Sequence, residues 1–153
     1  MKVVIAGDHG GFALKEDLKT YIRELGYDCV DYGTYSSESV DYPDFAFLVA
    51  DTVAKQENTV GIMIDGAGIG SAMVCNKVPG IRAAVCNDLF CARNSREHND
   101  ANVLTMGGRV IGVGLAREIV KVWLSCKFLG FHHSRRVQKI MDIEKKFVKC
   151  CDS

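Results

Sequence analysis

No run of apolar residues in this 153-residue chain approaches the length that would cross a bilayer, and the opening MKVVIAGDHGG is too short and too acidic to read as a signal peptide. A cytoplasmic location is the expectation. Excess charge is missing too. Nineteen basic residues balance nineteen acidic ones, so the overall electrostatics point to neither nucleic acid nor an anionic membrane as a partner. The seven cysteines (Cys29, Cys75, Cys86, Cys91, Cys126, Cys150, Cys151) lack the paired spacing of a zinc site or a secreted disulfide framework. Cys29, Cys75, Cys86 and Cys126 lie among apolar residues and read as small core hydrophobes. Cys150 and Cys151 read as a fraying tail. No Walker motif, internal repeat or low-complexity linker interrupts the chain. With 48% apolar and 25% charged residues, residues 1–153 are expected to form one domain with a full core.

Short apolar runs alternate with amphipathic stretches. Strands are expected at Val3–Ala6, Tyr27–Val30, Val60–Ile64, Ile81–Val85 and Val103–Met106. Helices are expected from Phe12 to Leu25, stopped by Gly26; from Pro43, with Phe45, Leu48, Val49 and Val53 on its apolar face; and at about Ile69–Lys77, Leu89–Glu97, Gly112–Phe128 and Ser134–Lys149. Strands joined by helices imply an α/β fold, a Rossmann-like three-layer sandwich on a five-stranded parallel sheet. Ligands of such folds bind at the carboxyl ends of the strands.

The segments after the strands hold much of the chemistry. In Asp65-Gly66-Ala67-Gly68-Ile69-Gly70-Ser71 an apolar strand runs into one carboxylate and a turn with three alternate glycines. Such a turn can aim backbone N–H groups at an anion, with the dipole of the following helix behind them. It is not a dinucleotide fingerprint, because the two-residue gap before the last glycine is missing. Asp8 and His9 follow the first strand. They could contact sugar hydroxyls and a phosphate, or Asp8 could simply cap the helix starting near Gly11. His98-Asn99-Asp100 alone would be a solvated helix end. His132-His133-Ser134-Arg135-Arg136 could clamp a phosphate through its guanidinium forks, or be a solvated basic turn. Adjacent histidines seldom face one ion together, so no metal site is read there.

Taken in order, these pieces resemble one family. Gly7-Asp8-His9-Gly10-Gly11 with Lys15, Gly33-Thr34-Tyr35-Ser36-Ser37 with Asp41-Tyr42-Pro43, the Gly66–Gly70 turn with Asn76-Lys77-Val78-Pro79-Gly80-Ile81-Arg82, and His98-Asn99-Asp100-Ala101-Asn102-Val103, extended by Gly108-Arg109 and Arg136-Val137, are similar to the ribose-5-phosphate isomerase B and galactose-6-phosphate isomerase family (RpiB/LacAB). The likeness runs from Met1 to about Ile143. It implies a cofactor-free, metal-free aldose–ketose isomerisation of a phosphorylated sugar through a cis-enediolate. Gly66, Ala67, Gly68, Ile69, Gly70 and Ser71 would form the anion hole, and His98 with Asn99 would open the sugar ring. Asp8 and Tyr42 would contact the sugar; His9, Arg109, Arg136 and His132 would meet phosphate or substrate. The resemblance also implies a homodimer or dimer of dimers with sites shared between chains, the C-terminal helix packing on the partner.

Two departures stand out. Asp65 occupies the position where these isomerases carry a cysteine base, with Ala67 where a threonine follows, and Ser71 stands where another branch has a glutamate base. His132 replaces a family arginine. Three readings follow: an active isomerase, best matched to ribose 5-phosphate, with Asp65 as base; an A-type subunit of galactose-6-phosphate isomerase that needs a cysteine-bearing paralogous partner; or a non-catalytic sugar-phosphate binder. The matches at His98, Asn99, Arg109 and Arg136 favour the first.

Overall fold

The computed structural model describes residues 1–148. Five strands and six helices follow in the order β1 (Lys2–Gly7), α1 (Phe12–Glu24), β2 (Asp28–Asp31), α2 (Tyr42–Lys55), β3 (Thr59–Asp65), α3 (Ile69–Cys75), β4 (Ala83–Val85), α4 (Leu89–Glu97), β5 (Val103–Gly107), α5 (Val113–Ser125) and α6 (His132–Phe147). All strand pairings are parallel, in the order β2-β1-β3-β5-β4. The expected sandwich is present. No helix is long and apolar enough to cross a membrane among the described residues.

Strand alternation builds the two core layers. Val3, Ile5, Ile62, Ile64, Leu104 and Met106 face a layer of α1 and α5 that includes Leu18, Ile22, Ile119 and Trp123. Val4, Ala6, Met63 and Val103 face the opposite layer, where α2 contributes Ala46, Val49, Ala50 and Val53. Leu48, expected on this apolar face, is exposed instead; the small Ala46 and Ala50 take the inner stripe and let α2 lie close to the sheet. Gly61 shows how close: an added Cβ would stand 2.5 Å from Val49 Cγ1.

Other expectations shift at their edges. Strand β4 begins at Ala83 rather than Ile81, because Gly80 takes a left-handed φ of 87° and Ile81 and Arg82 are spent leaving that turn. Helix α5 ends at Ser125, short of Phe128, and α6 starts two residues early, at His132. Cys29, Cys75 and Cys86 are buried as expected, whereas Cys126, just beyond α5, is only partly covered. Lys149, Cys150 and Cys151 lie outside the described residues.

Chain direction reverses between β1 and β3. From β1 the chain moves outward to β2, and from β3 it moves outward on the other side to β5 and β4. This is the switch point where a crevice opens at the carboxyl ends of an α/β sheet. Asp8 lies just past β1 and Asp65 ends β3, so both carboxylates stand at that crevice.

Candidate active site

The glycine turn is shaped by Asp65. Its carboxylate is buried and folds back under the loop: Oδ1 accepts the Ala67 N–H at 3.2 Å and the Gly68 N–H, and Oδ2 accepts the Ser71 N–H at 3.1 Å and the Ser71 hydroxyl at 2.7 Å. Gly68 takes a φ of 79° and lies where a Cβ would be 2.9 Å from the Met106 carbonyl carbon, so both its conformation and its packing require glycine. Gly70 is required for another reason: a Cβ there would stand 2.5 Å from Tyr42 Cζ. The Tyr42 ring thus covers the start of α3.

Three donors of the turn are left over. Among the described residues, the N–H groups of Gly66, Ile69 and Gly70 have no acceptor. They flank the Asp65 carboxylate at the N-terminus of α3 and are the groups free to bind a developing negative charge. The expected anion hole is therefore divided: Ala67, Gly68 and Ser71 serve Asp65, and Gly66, Ile69 and Gly70 are open.

Asp8 and His9 approach from β1. Asp8 Oδ1 accepts from Gly10 N–H at 2.8 Å and Gly11 N–H at 3.1 Å, which is the capping role, while Oδ2 has no partner among the described residues and is available to a hydroxyl. His9 Nδ1 accepts from Val40 N–H at 3.2 Å, so a neutral ring carries its proton on Nε2. Arg109 enters from β5, its N–H donating to Gly66 O at 3.1 Å while its side chain is exposed. A Cβ added at Gly66 would lie 3.8 Å from Arg109 Cδ, so the guanidinium stem borders the turn. Asp8, His9, Tyr42, the 65–71 turn and Arg109 form one cluster.

The other predicted residues are elsewhere. His98 caps the C-terminus of α4, Asn99 follows it, and both precede β5 in a parallel sheet, at the end opposite Asp65. At about 3.3 Å per residue, the five residues of β5 alone separate the two groups by roughly 15 Å. His132 and Arg136, one turn apart on α6, join the His98 group: His133 stacks on His98 with ring centroids 4.0 Å apart, and His132 lies 4.1 Å from His133. The Asn94 amide nitrogen lies 2.9 Å from His98 Nδ1, which leaves the ring proton on Nε2.

His133 and Asn94 orient His98, and sequence reasoning named neither for that task. The spacing of Asn94 and His98, one helical turn apart, was a usable signal; the stack with His133 joins residues 35 positions apart and left none. Burial, with His98, His132 and Arg136 close by, lowers the His133 pKa below its ordinary value. A lowered pKa means that the folded chain prefers the neutral ring. The stability this contributes is present above about pH 6.5 and is lost as pH falls through the lowered value. We expect melting temperature to drop on acidification from about pH 7.5 to 5, and His133→Gln to flatten that slope; identical slopes would show that His133 is not the group responsible.

No cysteine replaces the missing thiol base. Cys75 is the one whose thiol feels Asp65, yet burial, and secondarily that charge, push it up to about 12, and its Sγ faces Ala46 O at 3.4 Å. Burial likewise takes Cys29 and Cys86 to about 11.

Comparison with known proteins agrees with this geometry. The Ribose/Galactose Isomerase family model matches residues 3–140. The chain is 44% identical over 145 residues to ribose-5-phosphate isomerase B of Escherichia coli, covering 95% of this chain and 97% of that one. It superposes on the ribose-5-phosphate isomerase B structure of Clostridium thermocellum with a TM-score of 0.94 at 51% identity, covering 97% of this chain and 100% of that one. A Mycoplasma genitalium ribose-5-phosphate isomerase B structure with bound ribulose-5-phosphate gives a TM-score of 0.92 at 38% identity, covering 95% and 97% of the two chains.

Proposed function

The chain belongs to the ribose/galactose isomerase family, and on that premise we propose that it interconverts ribose 5-phosphate and ribulose 5-phosphate through a cis-enediolate, in a site assembled from two copies. It is an isomerase of aldose and ketose phosphates. One observation carries the finer reading: a buried carboxylate, Asp65, shares its turn with the unpartnered N–H groups of Gly66, Ile69 and Gly70. Enediolate chemistry needs that pairing of a proton acceptor with donors for the oxyanion.

The roles divide by end of the sheet. Asp65 takes the proton from C2 and returns it to C1, while the three free N–H groups hold the oxyanion. Asp8 Oδ2, His9 Nε2–H and Tyr42 orient the sugar. From the partner copy, His98 Nε2–H donates to the ring oxygen as the furanose opens, Asn99 stands beside it, and His132 and Arg136 bind phosphate, with Arg109 closing the crevice. The exposed apolar side chains of α6, Ile140, Ile143 and Phe147, line a cleft of about 670 Å³ with Ile81 and Ala84, and support the packing of this helix on a partner. A cytoplasmic homodimer or dimer of dimers follows from the same reading.

Purified protein should convert ribose 5-phosphate, assayed beside allose 6-phosphate and galactose 6-phosphate. Binding without turnover of any of the three would defeat the proposal. A second reading is favoured by the saturation of Asp65, whose oxygens already accept four hydrogen bonds as a structural anchor would. The chain would then supply its His98 end to a cysteine-bearing paralogue, and activity would appear only when that paralogue is added.

A further inference from the structure

All four partners of the Asp65 carboxylate donate to it, and three are backbone N–H groups: Ala67 and Gly68 on Oδ1, Ser71 on Oδ2. An N–H cannot accept. A protonated Asp65 facing only these groups would set O–H against N–H in a buried site, leaving polar groups without partners. The fourth partner, Ser71 Oγ at 2.7 Å from Oδ2, is different in kind, because a hydroxyl both donates and accepts. Ser71 is fully buried, so its hydroxyl is not turned out to bulk water, and its own backbone N–H fixes the same carboxylate oxygen.

We propose that Ser71 is a positioning residue for proton transfer, and this rests on Asp65 being the base proposed above. In the resting site Oγ–H donates to the charged Oδ2. When the substrate C2–H bond breaks, its electron pair forms the C1–C2 double bond, the carbonyl pair moves onto O1 as the enediolate, and Asp65 takes the proton. The proton is then held on Oδ2 in a bond that Ser71 Oγ accepts, while Ser71 keeps its own proton and turns it away from the carboxylate. Transfer of the O2 proton to O1 and return of the Asp65 proton to C1 yield the ketose and restore the original bond. The 2.7 Å contact thus reverses direction twice per turnover, and the backbone donors never need to move.

The test is Ser71→Ala in the full-length protein, with kcat, KM and the isotope effect of ribose 5-phosphate deuterated at C2. The expected result is a fall in kcat of about 10- to 100-fold with KM nearly unchanged and a larger isotope effect on kcat, since proton transfer becomes more rate-limiting. Ser71→Thr, which keeps the hydroxyl, should recover part of the loss. A turn that had merely loosened would raise KM and leave the isotope effect alone. Wild-type kcat in Ser71→Ala, or a change confined to KM, overturns the proposal. Should that variant fail to fold, Ser71→Cys, whose thiol is a poor donor and acceptor, must show the same split. Asp65→Asn separates the two levels: if it is active, the base assignment itself fails, and if it is inactive while Ser71→Ala is unimpaired, only the role of Ser71 fails.

Discussion

Asp65→Asn is expected to lower kcat with ribose 5-phosphate by about 10²–10⁴-fold while leaving sugar-phosphate binding largely intact, because an amide cannot take the C2 proton. The fold should survive, at some cost to the turn. An asparagine Oδ1 can still accept from Ala67 and Gly68, but its Nδ2 would face the Ser71 N–H, donor against donor, and the Ser71 hydroxyl would have to reverse and accept. The loss would sit in kcat, since Asp8, His9, Tyr42 and Arg109 keep their places. Calorimetric titration with substrate beside a steady-state assay separates the two effects. Unchanged turnover would move the base away from Asp65. The complementary Asp65→Cys should preserve or raise activity with ribose 5-phosphate, since a thiol at the mouth of the same turn needs no carboxylate to act as base.

The chemistry at Asp65 also marks how far the sequence could be read. Strand order of the apolar runs, the parallel sheet and the glycine turn at the end of β3 were all legible, because each depends on local periodicity or on a residue type with a conformational role. The cradle at Gly66–Gly70 was legible as an anion site. What Asp65 does inside it was not, since the bonds to Gly68 and Ser71 depend on a rotamer that no pattern encodes. Asp8 was legible as a choice between cap and ligand. The structure shows why the choice was false: one oxygen caps α1 and the other is open. Leu48 was misread for the opposite reason. A helix face was inferred from the largest side chains, but close packing on Gly61 favours Ala46 and Ala50 on the inner stripe.

The separation of the site into two groups was latent in the sequence, because His98 precedes β5 and Asp65 follows β3 in a sheet whose strands all run one way. No bending of one chain brings them together without dismantling the β3–β5 pairing. This predicts complementation between two dead variants. Asp65→Asn and His98→Asn should each be nearly inactive alone, the first for want of a base and the second for want of the donor that opens the ring. When the two are mixed under conditions that exchange subunits, half the dimers are mixed, and each mixed dimer holds one site with both native residues. About a quarter of the sites are then restored, since the symmetric partner site receives both substitutions. Activity should rise from near zero toward roughly that fraction of the wild-type value as subunits exchange. A site contained within one chain could recover nothing on mixing, because every copy would keep its own defect. Covalently joining two copies, one bearing each substitution, gives the same count without exchange: one working site of two, and about half the wild-type activity per linked pair.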